Sequence, residues 1–163
     1  MQQLEQIYRE LEPKMIDCLS RWVRCGSVKT EAENNAPFGR DVAKMLDLAL
    51  EDCEKLGFKT KNVDYYAGHA DLGEGSDEDA LAILAHVDVV PVGSGWTKEP
   101  FGAEIAGDKM FGRGTIDDKG PAVAALFAMK AVDMLGLKLK RKVRLILGCD
   151  EESGWECMKY YKA

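Results

Sequence analysis

Three short polar clusters hold the side chains of this sequence that are best suited to chemistry. His86 and Asp88 form an H-x-D pair, Asp117 and Asp118 close a glycine-rich loop, and an acidic string occupies 150–152. Each cluster alone has an ordinary structural explanation, as a hydrogen-bonded histidine, a helix cap or a solvated acidic loop. Together they offer an imidazole and several carboxylates to one site, provided that the fold brings them to one place.

The elements around these clusters predict such a convergence. The apolar runs 81–85 and 143–147 are typical of strands covered on both faces, and each run is followed by a polar cluster. Between them, 119–135 predicts a helix that Asp117 or Asp118 can cap. Because parallel strands end at the same edge of a sheet, where open α/β sheets bind ligands, the three clusters are expected to meet there.

The rest of the chain completes an α/β pattern. In chain order we predict helices over 2–24 and 37–56, an exposed strand over 58–66, an acidic turn over 71–79, a loop over 91–100, a hairpin over 101–111 with its turn near 107–108, and a last helix from 154 to 162. Helices that alternate with apolar strands predict an α/β fold in which helices pack on a mostly parallel, mixed sheet.

A divalent cation is the simplest partner for such a cluster. Carboxylates gathered in a cleft repel one another, and this repulsion raises their pKa values unless a cation compensates. One imidazole with several carboxylates suits Zn²⁺, and Mn²⁺ or Co²⁺ is possible. Asp88 can orient His86, and Asp117 can bridge two ions. Adjacent Glu151 and Glu152 point in different directions in extended backbone, so one can bind metal while the other activates water.

Composition excludes several other classes of protein. The net charge of -6, from 28 acidic and 22 basic side chains, argues against nucleic acid as a partner. The sequence contains neither a signal peptide nor an apolar run long enough to span a membrane, and its five cysteines form no C-x-x-C pair. We therefore expect a cytoplasmic protein with reduced thiols. Asp117 stands where a dinucleotide-binding loop needs its third glycine, and no G-x-S-x-G elbow occurs.

The motifs resemble those of a known metallopeptidase family. The strings are HVDVVPVGSGWTKEPF (86–101), FGRGTIDDKGP (111–121) and LGCDEES (147–153). In their order and spacing they resemble the zinc-dependent aminoacylase, carboxypeptidase and carnosinase family, and within it the bacterial dipeptidases of the peptidase V type. The resemblance extends over nearly the whole chain.

This resemblance implies a site with two zinc ions that hydrolyses dipeptides. It implies that His86 binds one ion, that Asp117 bridges both, and that Glu152 binds the other. It also implies that Asp88 steadies His86 and that Glu151 is the general base for the attacking water.

Members of this family are considerably longer than 163 residues. We therefore expect residues 1–163 to be the N-terminal part of a catalytic domain, without its lid and dimerisation domain and without the rest of the catalytic domain. Such a chain should have little peptidase activity alone and should self-associate through apolar surface left uncovered. Two alternatives stay open: an amidohydrolase that acts on N-acyl amino acids with the same metal site, and a non-catalytic α/β module for binding or assembly.

Overall fold

The computed structural model describes residues 2–162, and within that range it contains four helices and six strands. In chain order they are α1 (Gln2–Arg24), α2 (Arg40–Lys55), β1 (Lys59–Val63), β2 (Ala67–Leu72), β3 (Leu81–His86), β4 (Glu104–Ala106), β5 (Lys109–Phe111), α3 (Lys119–Met134), β6 (Val143–Gly148) and α4 (Glu156–Lys162). The helix α1 continues through Pro13. None of the helices described is both long and apolar enough to cross a membrane.

A four-stranded sheet in the order β1-β2-β6-β3 forms the centre of the molecule. The α/β class and the mixed sheet are confirmed, but the expected predominance of parallel strands is wrong. Of the three strand pairs, only β3 and β6 run parallel, while β1 with β2 and β2 with β6 are antiparallel. The difference arises because β1 and β2 form a hairpin that adds two strands to the parallel pair.

The strand β2 was not predicted, and its composition explains why. Its sequence AGHADL is rich in small residues with weak strand preference, so it shows no apolar run. Its first four residues are nevertheless buried. Gly68 lies so close to α2 that a Cβ there would stand 2.9 Å from side-chain atoms of Leu46 and Leu50. The strand is thus selected by its packing against the helix.

The strand β3 is less buried than its sequence suggests. Leu81 and Leu84 are each more than half exposed, so the expectation of a strand covered on both faces is wrong. The reason is position, because β3 is the outer strand of the sheet and is paired only with β6. The separate hairpin of β4 and β5 matches the prediction, with its turn at 107–108.

The helices pack around this sheet and leave the site at one end of the parallel pair. The helix α2 contacts β1 and β2, and α3 packs against α1, β3 and β6. Fully buried Trp22, Met45, Leu126 and Leu145 belong to one continuous core. Since α3 connects β3 to the parallel neighbour β6, the helix begins beside the ends of both strands.

Candidate metal centre

The parallel pair of strands brings the three polar clusters together. His86 is the last residue of β3 and is paired with Gly148, the last residue of β6. The acidic string after β6 therefore emerges next to the imidazole. Asp117 and Asp118 directly precede α3, which begins at the same end of the strands. The convergence predicted from the strand ends is thus observed.

His86, Asp117 and Glu152 form the centre of the cluster. Each offers one ligand atom, and these three atoms all lie within 4.8 Å of one another. His86 Nε2 is 3.2 Å from Asp117 Oδ1. The imidazole is buried, whereas the Asp117 side chain is 71% exposed, so the cluster opens to solvent on the Asp117 side. The three residues are the ones to which the family resemblance gives the metal.

The imidazole ring of His86 is held through its other nitrogen. Nδ1 lies 3.1 Å from the backbone carbonyl oxygen of Asp88 and 3.4 Å from the Asp88 carboxylate. In the neutral ring, a proton on Nδ1 is donated to this carbonyl, since a carbonyl oxygen can only accept. That tautomer leaves the Nε2 lone pair directed toward Asp117, as a metal ligand requires.

Asp88 has a second task that the sequence did not reveal. Its side chain is almost fully buried, and its two oxygens accept the backbone N–H groups of Glu151 and Glu152, each at 3.1 Å. One buried carboxylate thus links the His86 ring to the backbone of the glutamate pair. The H-x-D spacing predicted only the contact with His86, because the link to the glutamates depends on how β3 and β6 pair.

Asp118 serves the site instead of capping the helix. It occupies the N-cap position of α3 but makes no side-chain cap hydrogen bond, so the expected cap is wrong for this residue. Its Oδ2 accepts the backbone N–H of His86 at 3.1 Å. The end of β3 lies beside the start of α3, so the carboxylate binds the N–H of His86 and not an N–H of the helix.

Neighbouring acidic residues after β6 point in different directions. Glu152 belongs to the ligand cluster, and Glu151 Oε2 is 3.7 Å from His86 Nε2. Asp150 is fully buried and turned away, bound to Lys29 Nζ at 2.7 Å and to the N–H of Glu156. Both glutamates therefore lie at the site, Glu152 among the three candidate ligands and Glu151 beside His86.

The electrostatics of the site favour a cation. Burial raises the pKa of Glu152, and the charge of Asp117 raises it further. The pKa of Asp118 is raised by burial as well, with a contribution from Asp117. Burial alone would lower the pKa of His86, but the hydrogen bond and charge of Asp88 raise it to about 9. A divalent ion would relieve the repulsion among the carboxylates and displace the proton from the ring.

The donor set fits a first-row divalent metal. One imidazole nitrogen and carboxylate oxygens suit Zn²⁺, with Mn²⁺ and Co²⁺ as alternatives, and the ring is braced from behind as metal-binding histidines are. The described residues contain no other group of three histidine, cysteine or acidic side chains close enough to share an ion. The fold and this cluster together define a candidate metalloenzyme of the α/β class.

Comparisons with known proteins identify the family. The model for peptidase family M20/M25/M40 matches residues 82–162, the part that contains all three clusters. "Putative dipeptidase YtjP" of Bacillus subtilis (strain 168) is 49% identical over 142 residues. The matched segment, residues 82–162, belongs to peptidase family M20. The match with YtjP spans 86% of the chain but only 30% of the relative.

Two solved structures share the fold. Human carnosine dipeptidase 1 is 25% identical with a TM-score of 0.75, over 93% of this chain and 35% of that protein. The M20 family metallo-carboxypeptidase Sso-CP2 of Sulfolobus solfataricus is 27% identical with a TM-score of 0.67, over 85% of this chain and 31% of that protein. The chain therefore corresponds to about a third of the length of each of these structures.

Proposed function

We propose that this chain carries part of the active site of a dipeptidase that uses two zinc ions. The observation that carries the proposal is the cluster of His86, Asp117 and Glu152, whose ligand atoms lie within 4.8 Å of one another. The relatives support the substrate class, because YtjP and the human structure both bear the name of a dipeptidase. The name metallo-carboxypeptidase of a third relative supports the metal.

Each residue has a role that its surroundings suit. When bound, a pair of divalent ions polarises a carbonyl and lowers the pKa of water. Glu151 is the proposed general base, because its partly exposed carboxylate lies beside the cluster without belonging to it. Asp117 is the proposed bridging ligand, and its exposure leaves one side of its carboxylate open. Asp88 positions the imidazole and both glutamates.

We also propose that the chain alone hydrolyses dipeptides slowly or not at all. Zinc in catalytic sites takes three protein ligands in addition to water, and three ligand atoms cannot supply two ions in that way. The missing ligands would come from outside the matched part of the relatives, which are about three times as long. Cytoplasmic location is part of the same proposal and agrees with the free state of all five cysteines in the described residues.

A chimera with YtjP tests the proposed function. This chain replaces the matching segment of YtjP, and purified protein is assayed with dipeptides and with N-acyl amino acids in the presence of Zn²⁺. We expect hydrolysis of dipeptides, and we expect Glu151→Gln to lower kcat by roughly 10²–10⁴-fold, the usual contribution of a general base. Glu74→Gln, which changes an exposed glutamate paired with Lys59, is the matched control and should leave kcat unchanged.

The other outcomes distinguish the alternatives. A folded chimera that hydrolyses only N-acyl amino acids would favour the amidohydrolase. A folded chimera without affinity for Zn²⁺, Mn²⁺ or Co²⁺ would favour the non-catalytic module.

A further inference from the structure

Lys119 is a buried cation with unusual partners. Its side chain is fully buried, and its ammonium donates to the carbonyl oxygens of Trp22 at 3.0 Å and Cys25 at 2.7 Å. The residue is the first of α3, whereas both carbonyl groups lie at the C-terminal end of α1. The ammonium therefore satisfies carbonyl groups at a helix end that carries partial negative charge. This contact involves none of the residues assigned to the metal site.

The position of Lys119 makes this contact relevant to the site. It directly follows Asp117 and Asp118, the candidate bridging ligand and the acceptor of the His86 N–H. The loop before it also packs on its side chain, since a Cβ at Gly114 would lie 3.1 Å from Lys119 Cδ. The N–H of Gly120 donates to the carbonyl of Gly114 at 3.2 Å, which closes this loop over the lysine.

We propose that Lys119 is a positioning residue. It anchors the Asp117–Asp118 segment to the end of α1 and so holds both carboxylates close to His86. The helix α1 supplies no ligand to the cluster, yet through this lysine it fixes the start of α3. The hydrogen bonds of Lys119 reach neither the His86 ring nor a candidate ligand atom. It acts through the backbone of the two residues that precede it.

The experiment compares two buried lysines. Lys119→Met removes the ammonium while retaining an unbranched apolar side chain as far as the ε position. Lys142→Met is the matched control, because Lys142 is also buried and pairs with Asp71 and Asp77 at the beginning of β6, the end of the strand opposite to the site. Both variants are compared with the wild-type chain under conditions adjusted to equal free energies of global unfolding.

The first readout is amide hydrogen exchange of His86 in metal-free protein, which reports on its bond to Asp118. We expect Lys119→Met to accelerate this exchange about tenfold, because freeing the Asp118 segment exposes the amide to local opening. Lys142→Met should leave it unchanged. If Lys119→Met does not fold, Lys119→Gln, which is shorter and uncharged, should show the same acceleration. An unchanged His86 exchange rate in a folded Lys119 variant overturns the proposal.

The second readout is zinc affinity by competition with a chromophoric chelator, and it rests on the proposed function. We expect the Kd for zinc to rise roughly 10–100-fold in Lys119→Met, as for residues that orient metal ligands from behind, and to stay unchanged in Lys142→Met. Equal zinc affinity in wild type and Lys119→Met contradicts the inference. Absence of zinc binding in the wild-type chimera with YtjP, which supplies the missing ligands, contradicts the proposed function instead, and the exchange measurement then decides the inference separately.

Discussion

The two histidines of the chain lie in the same sheet but in opposite electrostatic surroundings. Burial lowers the pKa of His69, and the positive charge of Arg144 lowers it further. Its Nδ1 is hydrogen-bonded to the hydroxyl of Tyr161 at 2.8 Å. His86 is held instead by Asp88, which overcomes the effect of burial and raises the pKa to about 9. His86, unlike His69, is therefore the ring whose proton a bound cation would displace.

We predict two separate histidine titrations in the metal-free chain. By NMR, one imidazole should titrate below 6.5 and the other near 9. His69→Gln should remove the lower one, and saturating Zn²⁺ should abolish the upper one, because the metal displaces the ring proton. A His86 ring that titrates at or below 6.5 would show that Asp88 does not hold it as described.

These shifts also give the stability of the metal-free chain a defined pH dependence. The raised pKa of His86 stabilises the fold fully below pH 6.5, and this contribution is lost as the pH rises through about 9. The lowered pKa of His69 acts in the other direction. The fold loses stability as the pH falls below 6.5, because the unfolded chain then binds a proton more readily than the folded one. Urea unfolding should show the alkaline loss disappear in His86→Gln and the acid loss disappear in His69→Gln.

Asp88 should be the most sensitive residue outside the ligands. Asp88→Asn cannot accept both N–H groups of Glu151 and Glu152, and it loses the charge beside His86. We expect the zinc affinity to fall roughly 10–100-fold while the fold persists. Asp133→Asn, which changes an aspartate paired with Lys130 in the last turn of α3, should bind zinc like wild type. Equal affinities in the two variants would contradict the role of Asp88.

At the scale of single residues, the sequence predicted which side chains meet but not how they are held. His86, Asp117 and Glu152 could be named because the motifs that contain them resemble those of a known family. The double task of Asp88, the capture of Asp118 by the His86 amide and the buried position of Lys119 depend on how distant segments pack. No local pattern contains that information.

At the scale of elements, α1 and α2 are joined by a buried carboxylate. Asp52 of α2 accepts hydrogen bonds from the Arg21 guanidinium at 2.7 and 2.9 Å and from Trp22 Nε1 at 2.9 Å. The Cys18 thiol donates to the same carboxylate at 3.5 Å. Because Trp22 is fully buried, its indole N–H has no access to water if Asp52 is removed.

We predict that Asp52→Ala lowers the free energy of unfolding by about 3 kcal/mol, as expected when one partner of a buried charged network is removed. The zinc affinity of the folded variant should be unchanged, because Asp52 lies outside the ligand cluster. Urea unfolding gives the first quantity and chelator competition the second. A loss of less than about 1 kcal/mol, the range of exposed ion pairs, would contradict the importance of this network.

The elements themselves were predictable where the apolar pattern was strong. The three longer helices, β3, β6 and the hairpin of β4 and β5 all lie close to their predicted ranges. The strand β2 was missed because its burial comes from contact with α2 and not from large apolar side chains. For the same reason the sheet was expected to be mostly parallel, since the antiparallel partner of β6 was absent from the prediction.

At the scale of the whole molecule, one edge of the sheet exposes large apolar side chains. The outer strand β3 carries Leu81 and Leu84, both more than half exposed. Unpaired strand edges with apolar side chains favour association. We predict concentration-dependent self-association in sedimentation velocity, weakened by Leu84→Lys but not by Leu137→Lys, which changes an exposed leucine outside the strands. A wild-type chain that stays monomeric over a wide concentration range would contradict this prediction.

Zinc binding by the two single-histidine variants tests the central claim most directly. His86→Gln and His69→Gln each remove one buried histidine from the same sheet, but only His86 lies among the candidate ligands. In chelator competition at pH 7.5, about one unit above the unperturbed histidine pKa, we expect wild type and His69→Gln to bind zinc with similar Kd and His86→Gln to lose binding at least tenfold. Equal binding by all three proteins, or stronger loss in His69→Gln, would contradict a metal centre at the ends of β3 and β6.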